Sequence, residues 1–179
     1  DAAHRGALSV DGPTVAVLAC GADRVYPAAH RELIARIASS GAVVSEAAPG
    51  CAPQRIRFLA RNRLIAALTR GTVVVEAATR SGALNTSTWA GRLNRVVMGV
   101  PGPVTSVSST GVHEQLRTGA MSLVTSGSDV LELIGRGDLK VLDLLSNWMA
   151  QYGDEVSRWR VDSPGRVSPL QIDSALGEI

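Results

Sequence analysis

RIRFLARNRLIAALTRGTVVVEAATRSGALNT, residues 55–86, is the stretch that decides the fold of this chain. It passes from a basic helical pattern through a short apolar run into a loop of small residues. Over Arg55–Arg70 the apolar residues Phe58, Leu59, Leu64, Ile65, Ala67 and Leu68 recur at three- and four-residue spacing. That spacing predicts a helix with one buried face. Gly71 is the expected stop. Thr72–Glu76 (TVVVE) is short, β-branched and uncharged until its last residue, the pattern of a strand buried on both faces of a parallel sheet.

The loop Ala77–Thr86 follows, with Ser81, Gly82, Asn85 and Thr86 leading into another helix. It falls at the carboxyl end of a central strand, the edge at which open α/β sheets bind ligands. Backbone N–H groups at a helix start suit an anion. Arg55, Arg57, Arg61, Arg63 and Arg70 precede the strand, and an N–H-rich loop follows it. The combination points to a phosphate site.

The same alternation extends outward in both directions. Thr14–Cys20 (TVAVLAC) and Ala42–Glu46 read as buried strands, with a helix expected over Ala28–Ser40 between them. Pro27 at its start is compatible with a first helical turn. The loop Gly21–Pro27 falls at the same sheet edge and adds Asp23, Arg24 and Tyr26 as candidates. Downstream, strands are expected at Arg95–Val100 and Ser122–Thr125, with helices over Ser87–Leu93, Gly111–Arg117 and Ser128–Ile134. Asp1–Leu8 reads as a helix whose His4 and Arg5 face either a ligand or solvent. Strand and helix in alternation make a doubly wound α/β domain. Glu46 and Glu76 each close a strand at the ligand edge. Two carboxylates there suit acid–base chemistry or the capping of loop N–H groups; no His, Cys or Ser partner stands at catalytic spacing, and no G-x-S-x-G elbow occurs.

Composition narrows the function classes. The 179 residues are 45% hydrophobic, which suits one globular domain with a short appendage. A net charge of +2 is too small to argue for nucleic acid by itself, so local clustering of arginine must carry that case. Aromatic residues make up 3%, with Phe58 the single phenylalanine, which excludes a surface built from many stacking rings. Cys20 and Cys51 lack metal spacing, and no metal is expected. No cofactor is expected either, since no G-x-G-x-x-G follows a strand. No run reaches the roughly 18 apolar residues of a membrane span, and no signal peptide is visible, so the expected location is cytoplasmic. From Gly135 the pattern loosens: 136–179 reads as an extension, with an amphipathic helix over Leu139–Tyr152 and a polar, irregular tail from Arg158.

With these residues in place, the chain resembles the DNA-processing protein A (DprA/Smf) family. The matching segments are DAAHRGAL at 1–8, TVAVLACGADRVYP at 14–27, GAVVSEAAPG at 41–50, RFLARNRLIAAL at 57–68, VVVEAATRSGALNT at 73–86 and VPGPVTS at 100–106. They cover roughly residues 1–135 in the correct order. The resemblance implies a Rossmann-like domain that binds single-stranded DNA without catalysis, dimerises, and delivers the strand to a RecA-type recombinase in transformation and recombination. It implies a positive pocket in which Arg61 and Arg63 hold phosphates, Asn62 donates to the backbone or a base edge, and Phe58 stacks on a base or packs in the core. Arg55, Arg57, Ser81, Gly82, Asn85 and Thr86 would line the same pocket. The homodimer interface would fall on His113, Leu116, Met121 and Leu123.

The chain departs from the family pattern in places. The family's first strand, its S-G-x-A-x-G-I-D loop and an upstream G-x-R would precede residue 1. Leu59 stands where proline is usual, and Ala47–Gly50 (AAPG) replaces Y-P-P-G. The rival class is a Rossmann-like nucleotide enzyme, such as the lysine-decarboxylase-like nucleoside monophosphate phosphoribohydrolases. Their P-G-G-x-G-T-x-x-E motif is missing from Ala78–Leu84.

Overall fold

A computed structural model describes residues 1–135, 159–162 and 166–169. Helices and strands alternate: α1 (Ala2–Ser9), β1 (Val15–Leu18), α2 (Arg31–Ser40), β2 (Ala42–Ser45), α3 (Arg55–Ala67), β3 (Gly71–Val74), α4 (Gly82–Arg92), β4 (Val96–Gly99), α5 (Thr110–Arg117), β5 (Ser122–Leu123) and α6 (Gly127–Ile134). Two further strands, β6 (Trp159–Asp162) and β7 (Arg166–Pro169), follow. The expected α/β class, with mostly parallel strands flanked by helices, is what the fold has. Two compact units emerge, one of residues 1–61 with β6 and β7, the other starting at Asn62.

In the first unit β1 and β2 pair in parallel, Val15 opposite Ala42 through Leu18 opposite Ser45. Leu8, Ala16, Leu33, Ile37 and Val43 form its core, where α1 and α2 bury their apolar faces against the strands. Ile37 is 1% exposed. On the far side of β2 lies β6, antiparallel, paired in turn with β7. From sequence this region reads as an irregular tail. WRVD and RVSP are each four residues long, too short for a period-two pattern to stand out from polar sequence. The helix expected over Leu139–Tyr152 lies outside the described residues.

In the second unit β3, β4 and β5 form a parallel sheet in that order. Val74, Ala77, Val112 and Met121 make its core, with Leu84, Val97 and Leu116 packed against it. Two expectations fail here. Thr72–Glu76 is not a strand buried on both faces: β3 is Gly71–Val74, and Val73 and Val75 are 37% and 66% exposed. Among the described residues only β4 pairs with β3, so an uninterrupted apolar run marks a strand without fixing how much of it is covered. Gly71 does not stop the preceding helix either, because α3 ends at Ala67 and Gly71 opens the strand. Packing requires the glycine: a Cβ there would stand 2.7 Å from Met98 Cε and 2.9 Å from Ile134 Cγ2.

The helix α3 itself departs from a one-faced amphipathic pattern. Asn62, Leu64 and Ala66 are its buried residues, while Leu59 is 43% and Ile56 72% exposed. At 100° per residue, Asn62 and Ala66 lie on one side of the helix and Leu64 nearly opposite. The later part of α3 is therefore covered on two sides, one of them bearing an amide.

Candidate functional site

In the first unit the site begins with Arg57 and Arg61, one turn apart on α3 and so on one face. Each guanidinium is anchored by a backbone carbonyl. Arg57 Nη1 donates to the Ala52 carbonyl, and Arg61 Nη1 donates to the Val17 carbonyl of β1. The Arg61 guanidinium also lies 5.7 Å from the centre of the Phe58 ring, and Tyr26 meets Phe58 edge-on at 6.0 Å. Partial burial pulls the Arg61 pKa down from its usual value. The group stays cationic, since a guanidinium is not deprotonated in proteins. Arg57, Ala60 and Arg61 line a cleft of ≈ 150 Å³ with Leu18, Ala19, Glu46 and Ala47, at the carboxyl ends of β1 and β2.

The loops around this cleft hold one another. Both carboxylate oxygens of Asp23 accept from the Gly50 N–H at 2.9 Å, and Gly21 N–H donates to the Cys51 carbonyl at 3.0 Å. Asp23 is thereby a loop tie. Ser45 Oγ donates to the Cys20 carbonyl at 2.7 Å and fixes the strand ends. Burial, then the Asp23 charge, pushes the Cys20 thiol up, against the pull of Arg24, Arg57 and Arg61. That thiol is kept neutral beside the arginines. His4, the other candidate of the opening helix, is turned onto Thr14 Oγ1 at 2.7 Å and is structural. Arg55 is exposed at the start of α3.

In the second unit the residues after Arg61 meet the loop that follows β3. Asn62 is 8% exposed, and its Nδ2 donates to Asn85 Oδ1 at 3.2 Å and to the Gly82 carbonyl at 3.4 Å. Ser81 caps α4, its hydroxyl accepting from Ala83 N–H at 3.3 Å. The Asn62 amide thus fastens α3 to the capped end of α4, with half-buried Arg63 next to it in sequence and Gly82 exposed. Both of these acceptors belong to the start of α4. Thr86 lies one turn into α4 and is half-buried. Glu76 does not stand as a free base: its carboxylate accepts from the Ser108 hydroxyl. A polar cleft of ≈ 420 Å³ lies beside this edge, lined by Thr79, Thr110, His113, Glu114 and Arg117.

The expected dimer residues separate. Met121 is 5% exposed and belongs to the core with Leu116 packed against it, which removes Met121 from the surface. His113 Nε2 lies 2.9 Å from the Gly102 carbonyl. Leu123 is 57% exposed. Alternating apolar and polar residues around 116–124 gave no means to tell an interior methionine from a surface leucine.

The arrangement offers anchored guanidinium groups beside aromatic rings in one unit and a capped helix start in the other. A family model for DNA recombination-mediator protein A matches residues 1–135. The chain belongs to that family. Among its relatives, the putative DNA processing protein DprA of Mycobacterium tuberculosis is 57% identical over 134 residues, 75% of this chain and 34% of that protein. The DNA processing protein DprA of Streptococcus pneumoniae is 45% identical over 130 residues, 73% of this chain and 46% of that one. The crystal structure of S. pneumoniae DprA superposes with a TM-score of 0.69 at 43% identity, over 73% of this chain and 46% of that chain. The DNA processing protein A of Helicobacter pylori, whose single-stranded DNA binding mode has been described structurally, gives a TM-score of 0.61 at 25% identity, over 75% and 57% of the two chains. This chain therefore spans about a third to a half of the length of these curated relatives. Among the described residues, no helix is long and apolar enough to cross a membrane.

Proposed function

We propose that this chain binds single-stranded DNA at the carboxyl edge of its strands, without catalysis, in DNA processing for transformation and recombination. The observation that carries the reading is the pair Arg57 and Arg61, held by backbone carbonyls at a cleft with Phe58 and Tyr26 beside it. A guanidinium carries five N–H donors in a planar fork that matches phosphate geometry. Few aromatics favour tracking of the backbone, with the Phe58–Tyr26 pair available for stacking at this cleft. In the second unit, Arg63 and the capped start of α4 supply a cation, N–H groups and a helix dipole of their own. Asn62 acts here as a positioning residue.

The strand so held would be passed to a RecA-type recombinase by a homodimer, with Leu123 and the half-buried His113 and Leu116 at the dimer surface. These proposals follow the family to which the chain belongs. Fluorescence anisotropy of labelled oligo-dT, titrated against salt with and without Arg61→Ala/Arg63→Ala, tests the binding. Loss of most of the affinity in the double variant supports the site, whereas unchanged binding removes it.

A further inference from the structure

The opposite edge of the second unit's sheet carries its own cluster of cations. Arg70 precedes β3 and Arg95 precedes β4, and the Val96 N–H donates to the Arg70 carbonyl at 3.2 Å, so the two arginines flank one strand pair. Arg92 lies in the last turn of α4, its guanidinium 5.1 Å from the centre of the Trp89 ring one turn earlier. All three arginines are exposed, and Trp89 is half-buried.

Part of this charge has a structural counterpart. Arg95 Nη2 donates at 3.5 Å to the Ala67 carbonyl that ends α3. Arg70 Nη2 lies 4.0 Å from where a Cβ on Gly135, the residue after α6, would stand. Helix C-termini bring partial negative charge of about half a unit each, screened within a turn. Such half-charges do not cancel three full ones. Among the described residues, Arg70, Arg92 and Arg95 form no ion pair with a carboxylate.

We propose that this edge is a second contact for single-stranded nucleic acid, in which Arg70, Arg92 and Arg95 take phosphates and the Trp89–Arg92 stack takes a base. The occupant follows from the chemistry. An indole with a guanidinium plane over it is a platform for an unpaired base, which a duplex does not present. An acidic peptide would use the charges and leave the indole without a partner. The inference rests on the single-strand reading above, and α4 gives it a length. Its 11 residues start at the capped loop and end at Arg92, about 16 Å away. A strand that runs from the capped start of α4 to Arg92 has to span that length.

The test uses the whole chain and two oligo-dT probes, one of about 5 nucleotides and one of about 30, bracketing the usual range of single-strand site sizes. Arg92→Ala/Arg95→Ala is expected to weaken the long probe several-fold, to lower its salt slope by about 1.4, and to leave the short probe unchanged. Arg92→Glu, whose described contact is with Trp89 alone, should weaken the long probe without touching the α3 carbonyl. Quenching of tryptophan emission by the long probe should shrink in Trp89→Phe. The proposal is overturned if both probes respond equally, if neither responds, or if polyglutamate competes and the long oligonucleotide does not. Arg61→Ala/Arg63→Ala separates the two contacts, since the short probe reports on that pair alone. A chain that binds neither probe overturns both readings.

Discussion

Arg61 shows how much one side chain has to satisfy. Its guanidinium answers the Val17 carbonyl and lies over Phe58, so it is partly a structural group that happens to be charged. Arg61→Ala removes a cation from the cleft and leaves a β1 carbonyl without that donor, at a cost of about 1–3 kcal/mol. Arg61→Lys keeps the charge and loses the planar fork. Affinity for oligo-dT should therefore fall in both, while thermal stability should fall mainly in Arg61→Ala. A lysine variant that binds as well as the parent would mean that only charge matters at this position.

His4 makes a prediction in pH. Burial, followed by the positive charge of the chain's amino terminus, lowers its pKa below 6.5, and its Nδ1 meets Thr14 Oγ1 at 2.7 Å. Below about pH 6.5 the unfolded state takes up the proton first, so stability is lost as pH falls through that window toward the folded value. Urea midpoints measured from pH 7 to 5 should decline more steeply for the parent than for His4→Gln. Equal slopes would show that His4 does not carry the effect. Asp129 behaves with the same sense lower down. Hydrogen bonds led by Thr125 N–H hold its pKa to about 2, and its contribution disappears as pH falls from about 3.8.

At the scale of elements, positioning depends on a few close approaches. Gly111 N–H donates to the Ala77 carbonyl at 2.9 Å, which docks α5 on the loop after β3. A Cβ at Gly111 would stand 2.7 Å from the Ala78 carbonyl oxygen and 2.8 Å from that of Ala77. Because the obstacle is backbone, Gly111→Ala should cost about 3 kcal/mol, the upper end of the usual overpacking range. Gly71→Ala meets the flexible end of Met98 at 2.7 Å, the stiffer Ile134 Cγ2 at 2.9 Å and the Val96 carbonyl oxygen only at 3.2 Å, and should cost less. A larger loss at Gly71 than at Gly111 in chemical denaturation would refute this ranking. Asn62→Ala unfastens α3 from the start of α4 and should cost about 1–3 kcal/mol while weakening DNA binding.

Elements with strong local patterns were legible in the sequence. β1, β2 and β4 are Val-rich runs with glycine or proline close behind them, and α6 follows as an apolar run, although its capping box at Ser126 and Asp129 emerges only in the structure. The candidate site was legible in its charges and not in its anchors. Spacing places Arg57 and Arg61 on one helical face, yet their partners are the backbone carbonyls of Ala52 and Val17, which have no residue signature. The tie from Asn62 to the start of α4 was hidden for a related reason. Its partners, Gly82 and Asn85, stand 20 or more residues away, and an amide reads alike whether it serves a loop or a ligand.

For the whole molecule, a net charge of +2 distributes into two basic surfaces instead of one strong field. Non-specific attraction of polyanions should therefore be weak, and binding should depend on the placed arginines. Anisotropy of labelled oligo-dT with this chain, titrated from low to high salt beside Arg61→Ala/Arg63→Ala, tests that most directly. The account predicts an affinity that falls with salt, and a double variant that loses most of it with a slope reduced by about 1.4, two phosphate contacts at about 0.7 each. Salt-sensitive binding with the same affinity and slope in the double variant would contradict it.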